Sequence, residues 1–340
     1  MKRNFILIVT VLALSLSWLG CNKSGKPTGK LAEPSTFTPP SGPVQLKVKW
    51  PMGQRIVQAM DMKMKMAINV PGQPAPMKQD MTMGQQYGLT VLKENPDGGH
   101  EVEMEFLNAR IGLESGGKTV LAYDSAKASS ADKQDPAAEM FGQLVGAKIQ
   151  FFLNASNEVE RVEGAKELVD RLSSGGQANG LATLKDSLFS KDRLKEMLSA
   201  NRYLPPTAVQ PGDTWAVKQS FELGSLGTLA TDFDCTFVKW EMHGERNCAR
   251  IELQGTFNST PGTNANPAGM SVSLLNGNSS GVTWFDPELG NTVDTTMNQD
   301  ITMVMNVPVN LGAKPGAPVH TQAITNQLNQ VVNMKLVSVK

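Results

Sequence analysis

One stretch constrains this chain more than any other: MDMKMKMAINV, residues 60–70. Met60, Met62, Met64, Met66, Ile68 and Val70 fall on one side of an extended backbone, and Asp61, Lys63, Lys65 and Asn69 on the other. Alternate side chains of a strand point to opposite faces, so the stretch predicts a strand with one buried and one wet face. Such a strand needs partners along its edges and a layer over its apolar side.

The rest of the chain supplies further segments of the same kind. Residues 77–91 and 101–111 are strand-like, and Asn95-Pro96-Asp97-Gly98-Gly99 between them is a hairpin signal. In the second of these, Val102, Met104 and Phe106 share a face, while Glu101, Glu103 and Glu105 form a solvated row on the other. A short strand is expected at 119–123. Asp135-Pro136 starts a short helix that Gly146 ends, with Pro in the first turn where no N–H is needed. Residues 148–160 read as a strand pair. Residues 165–203 carry helical stripes: Leu168, Val169 and Leu172, then Leu181, Leu184 and Leu188, then Leu194, Met197 and Leu198. Strands return from Gly212, with a hairpin over His243-Gly244-Glu245, a loop at 259–269, a strand–turn–strand at 281–297, and strands at 302–309 and 331–339.

The order of features recurs. Gly53-Gln54-Arg55-Ile56 opens one set and Gly212-Asp213-Thr214-Trp215 another. KIQFFLNASNEVERVEG, from Lys148, matches GVTWFDPELGNTVDTTM, from Gly281, in pattern. The expected fold class is α+β, predominantly antiparallel β: two pseudo-repeated curved sheets, or one long sheet, with a helical insert between the halves. The expected divisions are a leader at 1–20, a disordered tether at 21–43, a first β half at 44–164, the helical insert at 165–206 and a second β half at 207–340.

The leader has a charged start, Lys2 and Arg3, and an apolar run at 5–19 that is short for a membrane span. It ends at Trp18-Leu19-Gly20-Cys21. A small residue before Cys resembles the bacterial lipoprotein signal, which implies cleavage before Cys21 and a palmitate-type acyl anchor on it. Trp18 departs from that pattern, where Leu is usual. The alternative is an ordinary secretory leader with an incidental Cys. Residues 22–43 are polar and rich in Pro, Gly and Ser, the composition of a tether. Lys plus Arg equals Asp plus Glu, 32 each, so no strong field draws nucleic acid to the chain. The expected location is the cell envelope, lipid-anchored on the periplasmic or outer-membrane side.

The acylated leader, LVGAKIQFFLNASNEVERVEG, the helical insert and YLPPTAVQPGDTW together resemble a family of uncharacterised bacterial envelope lipoproteins. The likeness spans most of the chain after the leader, and the family implies no activity. A half-covered antiparallel sheet on a lipid anchor is also similar in architecture to half-barrel lipid carriers.

Two letter patterns invite a catalytic reading. GLESGGKT, residues 112–119, fits a phosphate-cradling loop, but that chemistry needs a helix directly after Lys118, and TVLAY prefers a strand. GNSSG, residues 277–281, fits G-x-S-x-G, but a nucleophile elbow needs a following helix and a His base. VTWF follows Gly281, and His100, His243 and His320 fall in hairpin tips or a polar loop. No enzyme and no cofactor are expected. Cys235 and Cys248 flank the 243–245 turn at different distances, so simple register argues against a disulfide, although export permits one.

Met60, Met62, Met64, Met66, Met81 and Met83 are the candidate lining for an apolar or lipid-like ligand, since Met is a pliable filler. The alternative is Cu(I) held by the thioethers of Met62, Met64 and Met81, which needs a cross-strand cluster because alternate residues of one strand are about 6.8 Å apart. A third reading is an assembly module with no small ligand, whose partner is another envelope protein.

Overall fold

The computed structural model describes residues 39–127, 136–173, 198, 203–222, 227–261, 271–309 and 320–340. The alternating segments form twelve strands: β1 (Arg55–Asn69), β2 (Met77–Glu94), β3 (His100–Ser115), β4 (Lys118–Asp124), β5 (Lys148–Leu153), β6 (Val159–Glu163), β7 (Thr214–Glu222), β8 (Gly227–His243), β9 (Arg246–Pro261), β10 (Ser271–Asp286), β11 (Asn291–Val309) and β12 (His320–Val339). Helix α1 (Pro136–Leu144) lies between β4 and β5, and α2 (Ala165–Ser173) between β6 and β7.

All twelve strands belong to one antiparallel sheet, ordered β6-β5-β3-β2-β1-β12-β11-β10-β9-β8-β7, with β4 on β3 beside β5. The first strand pairs with the last: Met60 faces Met334 and Met64 faces Gln330. One long sheet is therefore the arrangement, and the two separate sheets are not formed. β1 through β6 step across the sheet in one direction, and β7 through β11 step the same way from the far edge. β12 lies between the two sets.

The matched units β5–β6 and β10–β11 turn alike. In each, a register shift precedes the turn, at Phe152/Leu153 and at Trp284/Phe285. In each, one side-chain oxygen closes the turn: Asn154 Oδ1 accepts from the N–H groups of Ser156 and Glu158, and Asp286 Oδ1 from those of Glu288 and Leu289. Asn157 and Gly290, equivalent positions, both have left-handed backbones, with φ of 63° and 66°.

These two turns show that the sheet curls. The extended segment at residues 44–50 passes between them. Asn157 Nδ2 donates to the Val48 carbonyl (3.3 Å), and the neighbouring Lys49 N–H donates to the Gly290 carbonyl (3.0 Å). Lys49 Nζ adds bonds to the carbonyls of Pro287 and Glu288. In a flat sheet, turns six strands apart would be separated by about 29 Å at the usual strand spacing. Meeting across one strap requires the sheet to bend round it. At its other end the strap pairs Val44 with Val209.

The strap alternates as a strand does. Leu46, Val48 and Trp50 are buried, while Gln45, Lys47 and Lys49 are exposed. It joins the same core as the inner faces of the strands, Phe141 and Leu144 of α1, and Leu168 and Leu172 of α2. Gly146, at φ 76°, ends the α1 region, and its N–H reaches the Phe106 carbonyl.

Three expectations need correction. Residues 271–280 and 320–330, not read as strands, are the opening halves of β10 and β12, because polar side chains occupy their inner faces. The loop expected from 259 begins later, since β9 runs to Pro261. The Glu row on β3 is ion-paired: Glu101 with Lys93 (2.9 Å), Glu103 with Lys148 (2.8 Å) and Glu105 with Arg55 (2.6 Å). The leader, Cys21, most of the tether, and the stripes of Leu181, Leu184, Leu188, Leu194 and Met197 lie outside the described residues.

Candidate functional site

The inner face of β1 carries Met60, Met62, Met64 and Met66, because its alternation and the curl of the sheet turn that side inward. Register sets Met62 opposite Met83 and Met64 opposite Met81. Met60 faces Gln85 and Met66 faces Gln79. All six methionines are buried, with Met62, Met64 and Met81 each 1% exposed. They form a packed face rather than an open lumen. An open groove of about 800 Å³ lies elsewhere, between β5, β6 and α2, beside Lys148, Ile149, Val162, Glu163 and Val169.

The row through Met81 and Met64 continues across the sheet as Gln330, Gln299 and Ser279. Residues directly opposite one another share a face, so these three polar side chains also point inward. All are buried. Gln330 Nε2 donates to Gln299 Oε1 at 3.2 Å. Ser279 sits between Gly277 and Gly281 on its own strand and opposite Gly255. Side chains lean into the space those glycines leave: a Cβ at Gly255 would lie 2.6 Å from the Phe233 ring, one at Gly277 2.7 Å from Phe257 Cβ, and one at Gly281 against Met297 Sδ. Ser279 is thus buried among these three glycines and Gln299, with Phe233, Phe257 and Met297 packed over the glycines. Among the described residues no Lys, Arg or His is buried, and the one buried carboxylate, Asp286, pairs with Arg246 at 2.7 Å.

Ser279 and Gln330 of the polar strip lie on the opening halves of β10 and β12, where Ser and Gln side chains interrupt the apolar alternation that marks a strand. A usable signal was present: Ile324, Leu328 and Val332 keep the period of two on β12, with Asn326 and Gln330 between them.

The letter patterns fall on strands. Residues 112–119 are the β3–β4 hairpin with its turn at Gly116-Gly117, and Lys118 opens β4. Ser279 lies within β10, followed by more strand. His243 stacks on Trp284 with ring centroids 4.3 Å apart, and its Nε2 lies 3.0 Å from Asp294 Oδ2. Trp284 Nε1 donates to Glu241 Oε1 at 2.6 Å, so this group ties the β8–β9 hairpin to β10 and β11. Exposed large apolar side chains, among them Val120, Met242 and Leu275, sit on separate strands.

Cys235 faces Leu253 and Cys248 faces Glu241, and both thiols are free. Burial pushes each thiol up to about 12. A thiol that stays protonated in the fold but ionises near 9 when unfolded favours the fold below pH 9. That contribution is lost as pH rises from about 9 to about 12. The expected result at pH 8 is that iodoacetamide leaves both native thiols unmodified and labels both in 6 M guanidinium (roughly the range that unfolds stable domains). Rapid native labelling of either would contradict the burial.

The profile of a family of unknown function, DUF6263, matches residues 97–291. The chain belongs to this family. The DUF6263 span runs from the β2–β3 turn to the first residue of β11, and so contains both matched turns and Ser279. No curated protein matches the chain. Among solved structures, lipovitellin is similar at 8% identity and TM-score 0.42 over 86% of this chain, which spans only 26% of the lipovitellin chain. A Bacteroides fragilis protein described as exported, with a YMCC-like fold, is similar at 11% identity and TM-score 0.26, covering 87% of this chain and 100% of that one. A Parabacteroides distasonis protein described as a lipoprotein is similar at 12% identity and TM-score 0.25, covering 88% and 100%.

Proposed function

We propose that this protein works at the cell envelope, on the periplasmic or outer-membrane side, anchored by an acylated Cys21, and that it binds rather than catalyses. In this reading its ligand is apolar or lipid-like and lies between the sheet and the segments that cover it. The observation that carries the reading is the single curved inner face, continuous across both halves and rich in unbranched thioethers. Methionine repacks around varied apolar shapes at little cost, which suits a face that must exchange its cover for a ligand. The strap supports the reading too, because among the described residues its backbone is tied to the sheet and its turns at three points: Val44 to Val209, Lys49 to Gly290, and Val48 to Asn157.

The test is native mass spectrometry of protein extracted from its own envelope, with displacement of a fluorescent fatty acid from the purified chain. A bound lipid-sized mass and saturable displacement are expected. An empty protein that displaces nothing would end this reading. The same spectrum reports the acyl mass on Cys21.

One observation favours a second reading. The in-register pairs Met62/Met83 and Met64/Met81 bring four thioethers onto adjacent rungs, and opposed Cβ atoms are about 5 Å apart. Soft sulfur donors suit Cu(I). In this reading the chain takes up one Cu(I) under reducing conditions, and changing Met62, Met64 and Met81 together to Leu abolishes uptake. The swaps conserve volume, at under about 1.5 kcal/mol each, so the fold survives to be tested. Unchanged uptake by the triple variant excludes these sulfurs.

A further inference from the structure

We infer that the strip Ser279–Gln299–Gln330 seats the uncharged polar head of an amphiphile, an alcohol, ester or amide, whose acyl chain lies along Met64 and Met81. The inference rests on the reading that the inner face takes a lipid-like ligand, and it names the class of that ligand.

Three observations carry it. First, the strip is polar where a core needs no polarity. The Gln330 amide donates to Gln299 Oε1 and so leaves Gln299 Nε2 as a donor; neither that nitrogen nor Ser279 Oγ, both buried, has a hydrogen-bond partner among the described residues. Buried polar groups in a settled core are hydrogen-bonded, so a donor and a hydroxyl held side by side in this state are matched to something that brings an acceptor. A carbonyl or hydroxyl oxygen can accept from both.

Second, the place is shaped. Glycines at 255, 277 and 281 border Ser279, and Phe233, Phe257 and Met297 pack over those glycines, so the one hydroxyl sits in apolar surroundings. That suits a group with one polar point on an apolar body. The methionine pair Met64/Met81 continues the same row, so a chain attached to that point has an apolar track.

Third, the described part of the inner face carries no counter-charge. No Lys, Arg or His is buried among the described residues, and Asp286 is already paired with Arg246. A carboxylate or phosphate brought to the strip would lose its hydration without gaining a cation, and an ammonium would find no carboxylate. A neutral head exchanges hydrogen bonds to water for hydrogen bonds to the strip.

The experiment uses the mature protein and the uncharged dye Nile red, displaced by amphiphiles that share one palmitoyl or hexadecyl chain: monopalmitoylglycerol, palmitate, hexadecylamine and palmitoyl lysophosphatidylcholine. Monopalmitoylglycerol is expected to displace the dye at a concentration about tenfold lower than the charged three. Gln299→Leu is expected to erase that preference while the charged amphiphiles displace as before. Ser279→Ala, which removes only the hydroxyl, serves if Gln299→Leu does not fold, and is expected to weaken the preference. Equal displacement by all four would overturn the inference and leave the lipid-like reading standing. A preference that survives both substitutions would also overturn it, by placing the head elsewhere. No dye binding and no displacement would remove the lipid-like reading itself.

Discussion

Trp50→Ala is expected to lower the unfolding free energy by about 3–5 kcal/mol, the cost of truncating a buried aromatic side chain. Trp50 ends the strap and is buried with Leu46 and Val48 in the common core. Its loss removes apolar area from water and also loosens the segment that two distant turns grip. Urea denaturation measures the effect, with Lys47→Ala as a control that should change stability by less than about 0.5 kcal/mol, because Lys47 is exposed on the opposite side of the strap. A Trp50 variant as stable as the parent would mean that the strap is decoration on a sheet that closes without it.

Gly290→Ala is the second substitution with a large expected effect, and it has an internal control in Gly244→Ala. Both glycines adopt left-handed backbones, with φ of 66° at Gly290 and 62° at Gly244. The backbone cost of a Cβ there is about 1–2 kcal/mol at either site. Around Gly244 an added Cβ meets nothing within 4 Å, whereas at Gly290 it would lie 2.7 Å from the backbone nitrogen of Lys49. Gly290→Ala should therefore cost about 1–3 kcal/mol more than Gly244→Ala, the range for forcing atoms into a filled site. If the extra cost comes from pushing the strap away, it should shrink when Trp50 is already Ala, because coupled sites are not additive. Equal effects of the two glycine substitutions, or full additivity with Trp50→Ala, would rule out strap displacement as the cause.

These two expectations concern a feature that was written in the sequence but not read from it. VQLKVKW, residues 44–50, alternates as cleanly as the methionine strand. It lacks a hairpin partner nearby, so no local signal marks it as paired, and its contacts lie over a hundred residues away, at Asn157, Val209 and Gly290. The methionine strand was legible because it has a hairpin partner immediately after it, in β2. The units at 148–163 and 281–297 were legible because their turns carry Asn, Asp and Gly where an oxygen cap and a left-handed residue are needed. The polar half of β10 was not legible, because a Ser on an inner face reads as an outer position until register places it opposite Gln299; in β12 only the wider spacing of Ile324, Leu328 and Val332 marks the inner face.

Alternation along the backbone is a local property, set by the pleat of each strand, and so the methionine face, the hairpins and the recurrence of one turn unit followed from residue order alone. Which strand lies beside which is a matter of long-range pairing. Residue order left open whether β1 would meet β12, and with it whether there were two sheets or one. The curl depended on it further still, since only the folded chain brings Asn157 and Gly290 to either side of one strap. The pairing of Met62 with Met83 and the alignment of Ser279, Gln299 and Gln330 have the same origin: a one-residue slip would have turned each to the other face, and the register that prevents it is held by the whole sheet.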